Sequence, residues 1–540
     1  MATHEVTNQP PPRVDVDEFG TNVPLVEAVT RHDAAWALDH LHAVGRLVGR
    51  ADFQEDAAAA HRHTPVLHTH DRYGRRLDEV EYHPAYHRVL GAAVAHGAHT
   101  AAWADPRPGA AVARAATFML FAQVEPGHAC PVSMSHAAVP SLLLTPVLAD
   151  QWVPRLLSRE YDARLAPGKR SALFGMAMTE KQGGSDVRAN TTVAVDAGDG
   201  SYRLTGHKWF CSAPMSDAFL VLAQAAEGLS CFVVPRVLED GTRNPFLIQR
   251  LKDKLGNRSN ASSEIELDDT VGFLLGEPGH GVRTIIEMVA HTRLDCVLGS
   301  AAGMRQSVAE AVWHARYRSA FGALLVDQPA MAGVLADLAL ESEAATVTAI
   351  RLARAHDADA DEDERAFRRL ATAVAKYWIC KRGPGHAYEA MECLGGNGYT
   401  EAFPLAMRYR EQPVMAIWEG SGNVIALDVL RTLAREPRAL KVFEAEVGQA
   451  QGAHRLLDEH LRRTGELTAE VAGAPPAEAA ALARRLTEAM ALALQASLLV
   501  RFSPTAVSDA FIASRLGGDG GHLYGVLPRG TDLEAVLERH

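Results

Sequence analysis

Residues 178–187 read MTEKQGGSDV, a short run that closes on a Gly-Gly turn bearing a serine and an aspartate. Such a turn offers backbone N–H groups and hydroxyls to a phosphate, and it equally suits a plain hairpin. The stretch stands where the chain changes character. On its N-terminal side, segments such as 33–48 and 110–124 carry Ala, Leu and Val at helical spacing between Pro- and Gly-containing breaks, which predicts an α-helical domain over residues 1–170. On its C-terminal side, β-rich runs at 191–195, 202–204, 218–222, 230–234 and 263–267 are separated by Gly, Asp and Asn turns, the pattern of an antiparallel sheet or β-barrel over 171–281. Helical periodicity then resumes. Segments 282–320, 330–356, 365–394 with Pro384 as a kink, and one starting near Gly422 fit an α-helical bundle over 282–435. The acidic run 357–364 reads as a solvated connection. Past residue 435 the chain is rich in Ala, Leu and Arg, and 473–476 divides it into two further helical segments, an additional C-terminal helical domain over 436–540. The fold class expected is therefore α+β, mainly α.

Composition agrees with a multi-domain globular protein. At 540 residues the chain exceeds what one core supports, and 47% of it is apolar. The opening nineteen residues, MATHEVTNQPPPRVDVDEF, are polar and acidic and contain no basic-then-apolar signal, so a cytoplasmic protein is expected. The longest late apolar run, 489–500, is interrupted by Gln495 and too short to span a bilayer, so no membrane partner is expected. Six widely spaced cysteines without a C-x-x-C pair read as reduced, buried thiols. The sequence HRHTPVLHTH groups His61, His63, His68 and His70, and His83 and His87 stand four apart. Pro65 breaks any common helical face and no carboxylate or cysteine completes a ligand set, so these read as solvated histidines and no metal is assigned. A net charge of −12 means that any nucleic-acid partner would need a local basic patch.

Four further motifs carry chemical promise. GHKWFCS (206–212) places Trp209 at a strand end, where it could lie against a flat heteroaromatic ring or simply fill a core. YRSAFG (317–322) with Gln328 follows a helix, and in LGGNGYT (394–400) Gly395 and Gly396 suit a helix C-cap. In QPVMAIWEGSGNV (412–424) the lone carboxylate of Glu419 lies between an apolar run and a Gly-Ser-Gly turn. Desolvation there favours a carboxylate that can take up a weakly acidic proton, while a solvated turn residue is the bland alternative. No P-loop, G-x-S-x-G, H-E-x-x-H or strand-borne G-x-G-x-x-G occurs.

Taken in order, T-E-x-x-G-G-S-D, K-W-F-C-S, R-x-x-F-G, L-G-G-N-G-Y and W-E-G-S-G-N resemble the acyl-CoA dehydrogenase family across about residues 150–435. MTEKQGGSDV, RLKDKLGNRSNAS (250–262), IWEGSGN, the chain length and the extra C-terminal domain resemble most closely that family's branch of DNA-alkylation-response proteins. The resemblance implies an N-terminal helical domain, a middle β-barrel and a C-terminal four-helix bundle. It also implies a homotetramer that holds FAD between barrel and bundle, with a neighbouring subunit reaching the adenosine diphosphate end.

Residue by residue, it implies that Met178, Thr179, Gly184 and Ser185 line the flavin and pyrophosphate. Trp209, with Phe210, Cys211 and Ser212, flanks the isoalloxazine. Arg318, Phe321, Gln328, Gly395 and Gly396 match positions that meet FAD across a subunit interface, and Trp418, Gly420, Ser421 and Asn423 match cofactor positions around the base. Glu419 falls on the catalytic base itself. Some members carry the base on the bundle's first helix instead; the matching position here is Thr292, next to Arg293, which matches a substrate-binding residue. The chain departs from the pattern at Cys211, where the family has a flavin-facing threonine, at Glu392, where it has an interface glutamine, and at Ser421 and Asn423, where Thr and Gln are usual.

Three functions follow from the resemblance. The first is a flavoprotein that binds double-stranded DNA, through a surface including Arg431, and protects it in the alkylation response with weak or residual isovaleryl-type dehydrogenase chemistry. The second is a short- or branched-chain acyl-CoA dehydrogenase passing electrons to an electron-transfer flavoprotein. The third is a flavin-dependent oxidase of a small metabolite, against which Glu419 counts because that family uses an aspartate base.

Overall fold

A computed structural model describes residues 3–518 and 520–540. The chain opens with α1 (Val23–Arg31), α2 (Leu38–Gly49) and α3 (Ala51–Arg62), then a hairpin of β1 (Val66–His70) and β2 (Arg76–Glu81). Next come α4 (Pro84–Ala95), α5 (Ala101–Ala104), α6 (Ala110–Val124), α7 (Ala129–Leu142) and α8 (Pro146–Leu156). Strands β3 (Phe174–Ala177), β4 (Val193–Asp196), β5 (Tyr202–Ser212), β6 (Ala218–Ala225), β7 (Gly228–Pro235), β8 (Phe246–Leu251) and β9 (Ser262–Leu275) follow. The long helix α9 (Gly281–Tyr317) leads to a short hairpin, β10 (Ser319–Ala320) and β11 (Ala323–Leu324), and on to α10 (Pro329–Arg354), α11 (Glu362–Glu392), α12 (Leu405–Met415) and α13 (Gly422–Arg435). The chain ends with α14 (Pro437–Gly448), α15 (Arg455–Gly473), α16 (Pro476–Phe502), α17 (Thr505–Leu516) and α18 (Leu533–Leu537).

These elements form two compact units: Met1–Ala51, Arg107–Val124 and Cys296–His540 in one, Asp52–Pro106 and Glu125–Asp295 in the other. The second unit holds the barrel. Its strands run β3-β6-β4-β5-β9-β7 with β8 on β9, and β6 pairs with β7 to close the path. Strands β6 (AFLVLAQA) and β7 (GLSCFVVP) are buried along nearly their whole length, so they read as continuous apolar runs rather than alternating ones. The other unit is helical: α10 and α11 bury most of their residues, and Asp361 caps α11 by accepting from Glu364 N at 2.9 Å, with Glu362, Asp363 and Glu364 in its first turn. All six cysteines are free and buried. Among the described residues no helix is long and apolar enough to cross a membrane.

Several expectations need correction. The N-terminal third contains the hairpin β1–β2, whose strands lack a clean apolar face and so hide from a periodicity argument. The histidine group is not uniformly solvated: His61 is buried and pairs with Glu125 at 2.7 Å, and His63 stacks on His83 with ring centres 4.6 Å apart. The run 357–364 begins inside the protein, because buried Asp357 accepts from the N–H groups of Gly109 at 3.0 Å and Ala111 at 2.6 Å at the start of α6. Burial pushes its carboxyl up to about 6. Beyond α13 there are five helices among the described residues rather than two segments, since Pro437 opens α14 and Pro504 immediately precedes α17 at breaks that composition alone did not separate. Strand β3 is the strand that leads into the Gly-Gly turn, while β8, with a register shift between Ile248 and Arg250, escaped the pattern.

Candidate functional site

The MTEKQGGSDV stretch leaves β3 and folds around a carboxylate. Glu180 is fully buried and accepts from Thr191 N at 2.7 Å and Oγ1 at 3.0 Å, from Thr192 N at 3.1 Å and Oγ1 at 2.7 Å, and from Lys208 Nζ at 2.8 Å. Lys208, equally buried, also donates to Leu222 O at 2.7 Å. Burial alone would raise the Glu180 carboxyl; the ammonium and threonine donors hold it well below the usual range. Both residues lie inside the sequence motifs, where neither carries an expected role. Strand β5, YRLTGHKWFCS, mixes polar and apolar residues, so no local pattern marks Lys208 as a buried ammonium that must find a partner.

That carboxylate fixes the Gly-Gly turn. A Cβ at Gly184 would lie 2.4 Å from Thr179 Oγ1, so only glycine fits, and Gly183 adopts φ 133°. Ser185 is exposed beside them. The turn is tied to the second motif, because Trp209 N donates to Thr179 O at 2.8 Å where β5 slips register against β9 between Lys208 and Cys211. Trp209 thus lies within β5 at an irregularity, not at its end. Lys252 Nζ sits 3.1 Å from the centre of its indole and pairs with Glu264 at 2.6 Å. Phe210 is 50% exposed. The Cys211 thiol is wholly buried and pushed up to about 12 by that burial, whereas Ser212 stays partly accessible with its hydroxyl 3.1 Å from Ser262 Oγ. Of the two, Ser212 is the one placed to hydrogen-bond a ligand. Thr292 and Arg293 lie on α9; Thr292 is buried with its hydroxyl donating to Met288 O at 3.3 Å.

In the helical unit, Arg318 Nη1 donates to Asn8 O at 2.6 Å and Gln328 Nε2 to Ala320 O at 2.8 Å, which holds the β10–β11 hairpin. At its tip Phe321 (φ 54°) and Gly322 (φ 83°) both take left-handed backbone, and the phenyl ring is fully exposed. Gly395 and Gly396 are exposed too, with nothing within 4 Å of where a Cβ would stand. Glu392, just before them, is exposed.

Glu419 occupies the turn between α12 and α13 at φ 57°, followed by Gly420 at φ 111°. A Cβ at Gly420 would approach Ile425 Cδ1 to 3.0 Å. Trp418 packs against the buried cluster of Cys296, Cys380 and Met415, and its indole Nε1 is buried without an acceptor. Ser421 caps α13 by position only, its hydroxyl making no capping bond. Asn423 and Ser421 are exposed. Below the turn, buried Lys376 of α11 donates to Gly420 O at 2.9 Å and to Met415 O at 3.3 Å.

Arg431, 55% exposed, pairs with Asp428 at 3.1 Å, which Arg369 also holds at 3.1 Å. Many basic residues beyond it are likewise paired: Arg438 with Glu362 and Asp363, Arg462 with Glu466, Arg463 with Glu459, Arg501 with Glu446, and Arg539 with Glu27 and Glu343. The barrel-bearing unit also contains a cavity of about 530 Å³ lined by Tyr82, Tyr86, His87, Tyr161, Ser216 and Asp217 among others. None of the motif residues lines it.

Comparison with known proteins supplies the class. Residues 175–270 match the acyl-CoA dehydrogenase middle domain and residues 279–434 its C-terminal domain. The chain belongs to the acyl-CoA dehydrogenase family. Residues 8–163 match the N-terminal domain of adaptive response protein AidB. The chain is 46% identical over 523 residues to AidB of Escherichia coli (strain K12), covering 96% of this chain and 95% of that one. It is 31% identical to acyl-CoA dehydrogenase family member 11 of Caenorhabditis elegans over 74% of this chain and 68% of that protein. The fold matches the crystal structure of Caenorhabditis elegans ACDH-11 in complex with C11-CoA at a TM-score of 0.87, with 24% identity, over 100% of this chain and 93% of that one.

The chain is an FAD-dependent oxidoreductase of the acyl-CoA dehydrogenase type, and its residues fit that cofactor. The Gly184 turn has no room for a Cβ and presents its backbone beside exposed Ser185. The Trp418 Nε1 donor is a buried polar group that a ligand with heteroaromatic acceptors can satisfy.

Proposed function

We propose that this protein removes hydrogen across the α,β bond of a short or branched acyl-CoA, with Glu419 as the base. The observation that carries the reading is the backbone of Glu419 itself. A non-glycine residue in left-handed conformation costs about 1–3 kcal/mol and persists where surrounding structure imposes it, most often at working sites. Here Gly420, the Trp418 packing and the ends of two helices impose it. When bound, FAD supplies the acceptor for the hydride leaving the β-carbon. Met178, Thr179, Gly184, Ser185, Trp209, Phe210 and Ser212 hold it from the barrel, with Cys211 buried behind them. Arg318, Phe321, Gln328, Gly395 and Gly396 meet it across the interface of a homotetramer, for which the fully exposed Phe321 ring is suited. Trp418, Gly420, Ser421 and Asn423 shape the surroundings of the base. Glu419 takes the α-proton, and Arg293 binds the acyl-CoA. Thr292 carries no carboxylate, which leaves Glu419 the family's only base position filled by one. Electrons leave to an electron-transfer flavoprotein in the cytoplasm. Anaerobic titration of the yellow holoprotein with short straight and branched acyl-CoAs should bleach the flavin; a panel in which none bleaches it sinks this reading.

A second reading, binding of double-stranded DNA in the alkylation response, draws on the 46% identity to AidB and on exposed Arg431. Because so many neighbouring arginines already pair with carboxylates, few are left to displace counterions, and a shallow salt dependence is expected. Retention of duplex DNA should fall between low and moderate salt, and Arg431→Ala should lower the log–log slope by about one. Salt-independent retention would speak against an electrostatic DNA site.

A further inference from the structure

Lys376 is one of the largest fully buried side chains in the molecule, at 1% exposure. A buried ammonium is costly unless its hydrogen bonds are met, and the usual partner is a carboxylate. Among the described residues Lys376 bonds to main-chain carbonyls instead: Met415 O, at the last residue of α12, and Gly420 O, directly after Glu419. The end of α12 carries partial negative charge, which favours a cation there. Burial, together with the neighbouring cations Arg484 of α16 and Lys376, holds the Lys381 ammonium of α11 below the usual range. The arrangement makes sense as a clamp. One carbonyl anchors the helix before the turn, the other the turn itself, and between them stand Trp418 and Glu419.

We propose that Lys376 is a positioning residue for the base, fixing the Glu419–Gly420 peptide so that the carboxylate is held in one orientation. This rests on Glu419 being the base. The ammonium touches neither substrate nor cofactor on this account; it acts through the Gly420 carbonyl.

The test uses the FAD-loaded full chain and the variants Lys376→Met and Lys376→Arg, followed by amide hydrogen exchange and by anaerobic reduction with whichever acyl-CoA bleaches the parent. Lys376→Met should speed exchange across residues 416–424 by about tenfold or more, while α9 and α10 keep parental protection. It should slow reduction by about 10²-fold with little change in thioester affinity, since a base displaced by an ångström loses that much. Lys376→Arg, which keeps charge and donors, should recover most of both. Parental exchange at 416–424 in Lys376→Met overturns the proposal, as does a rate loss that arginine fails to rescue. If the methionine variant does not fold, Lys376→Gln carries the same comparison. If no acyl-CoA reduces the parent, the dehydrogenase reading fails, and the exchange measurement alone decides whether Lys376 holds the turn.

Discussion

Glu419→Gln should lose flavin reduction by acyl-CoA almost entirely while keeping FAD bound. The amide keeps the size and the hydrogen-bonding ability of the carboxylate but cannot accept the α-proton. General-base contributions of this kind run to about 10²–10⁴-fold, so a rate lower by about 10³-fold is expected. The turn should survive, because its geometry is set by Gly420 at φ 111°, by the Lys376 hydrogen bond to Gly420 O and by Trp418 on its cysteine–methionine cluster, none of which uses the Glu419 side chain in those contacts. The absorption spectrum and the FAD content of the purified variant should therefore match the parent. Stopped-flow reduction under anaerobic conditions checks the rate and a flavin-to-protein ratio checks the cofactor. Reduction within about tenfold of the parent would place the base elsewhere. Thr292 offers no replacement, since its hydroxyl is buried and engaged with Met288 O.

How far this site was legible in the sequence depends on which physical signal each part leaves. The barrel strands β6 and β7 and the bundle helices announce themselves through long apolar runs or helical spacing. The motif glycines do so because turns without room for a Cβ admit nothing else: Gly184 against Thr179 is such a case. The hairpin β1–β2 left no apolar signal, since β1 alternates exposed and half-buried residues and one of the two buried positions of β2 is Asp78. Asp357 was misleading for a different reason. An aspartate in an acidic run looks solvated, and only the tertiary approach of the first turn of α6 turns it into a buried cap. The same limit applies to Arg431 and the arginines after it. Sequence shows that they exist; whether each is free or paired is decided by where Asp428, Glu446, Glu459 and Glu466 fall in three dimensions, and the structure pairs many of them. Glu180 and Lys208 show the limit most clearly, because they are far apart in sequence and meaningful only as a pair.

Replacing Glu180 with leucine should cost more stability than any surface change in the barrel-bearing unit. The substitution strands the Lys208 ammonium in the interior with Leu222 O as its remaining partner, and it removes the acceptor of the Thr191 and Thr192 N–H groups and of the Thr191 hydroxyl, while Thr192 Oγ1 keeps His207 O at 3.2 Å. Breaking a buried ion pair by deleting one member costs about 3–5 kcal/mol. The Gly183–Gly184 turn should loosen with it, since Glu180 anchors the start of that loop through its backbone as well, its carbonyl accepting from Gly183 N at 3.0 Å. The variant should thus release FAD at a distinctly lower temperature, read as the midpoint of the rise in flavin fluorescence on heating. Glu180→Leu combined with Lys208→Met removes both charges and should recover part of the loss, because the desolvation cost of the lone ammonium disappears. The pH dependence has a definite sign. The Glu180 carboxyl is held below its usual range, so its stabilisation is complete above the unfolded carboxylate value, about 4.3, and is lost only as pH falls through the lower folded value. Mild acid should accordingly leave the loop in place in the parent. A Glu180→Leu protein that releases FAD at the parental temperature, with Lys208→Met no better when added, would mean that the pair holds nothing and that the phosphate-facing turn is fixed by its glycines alone.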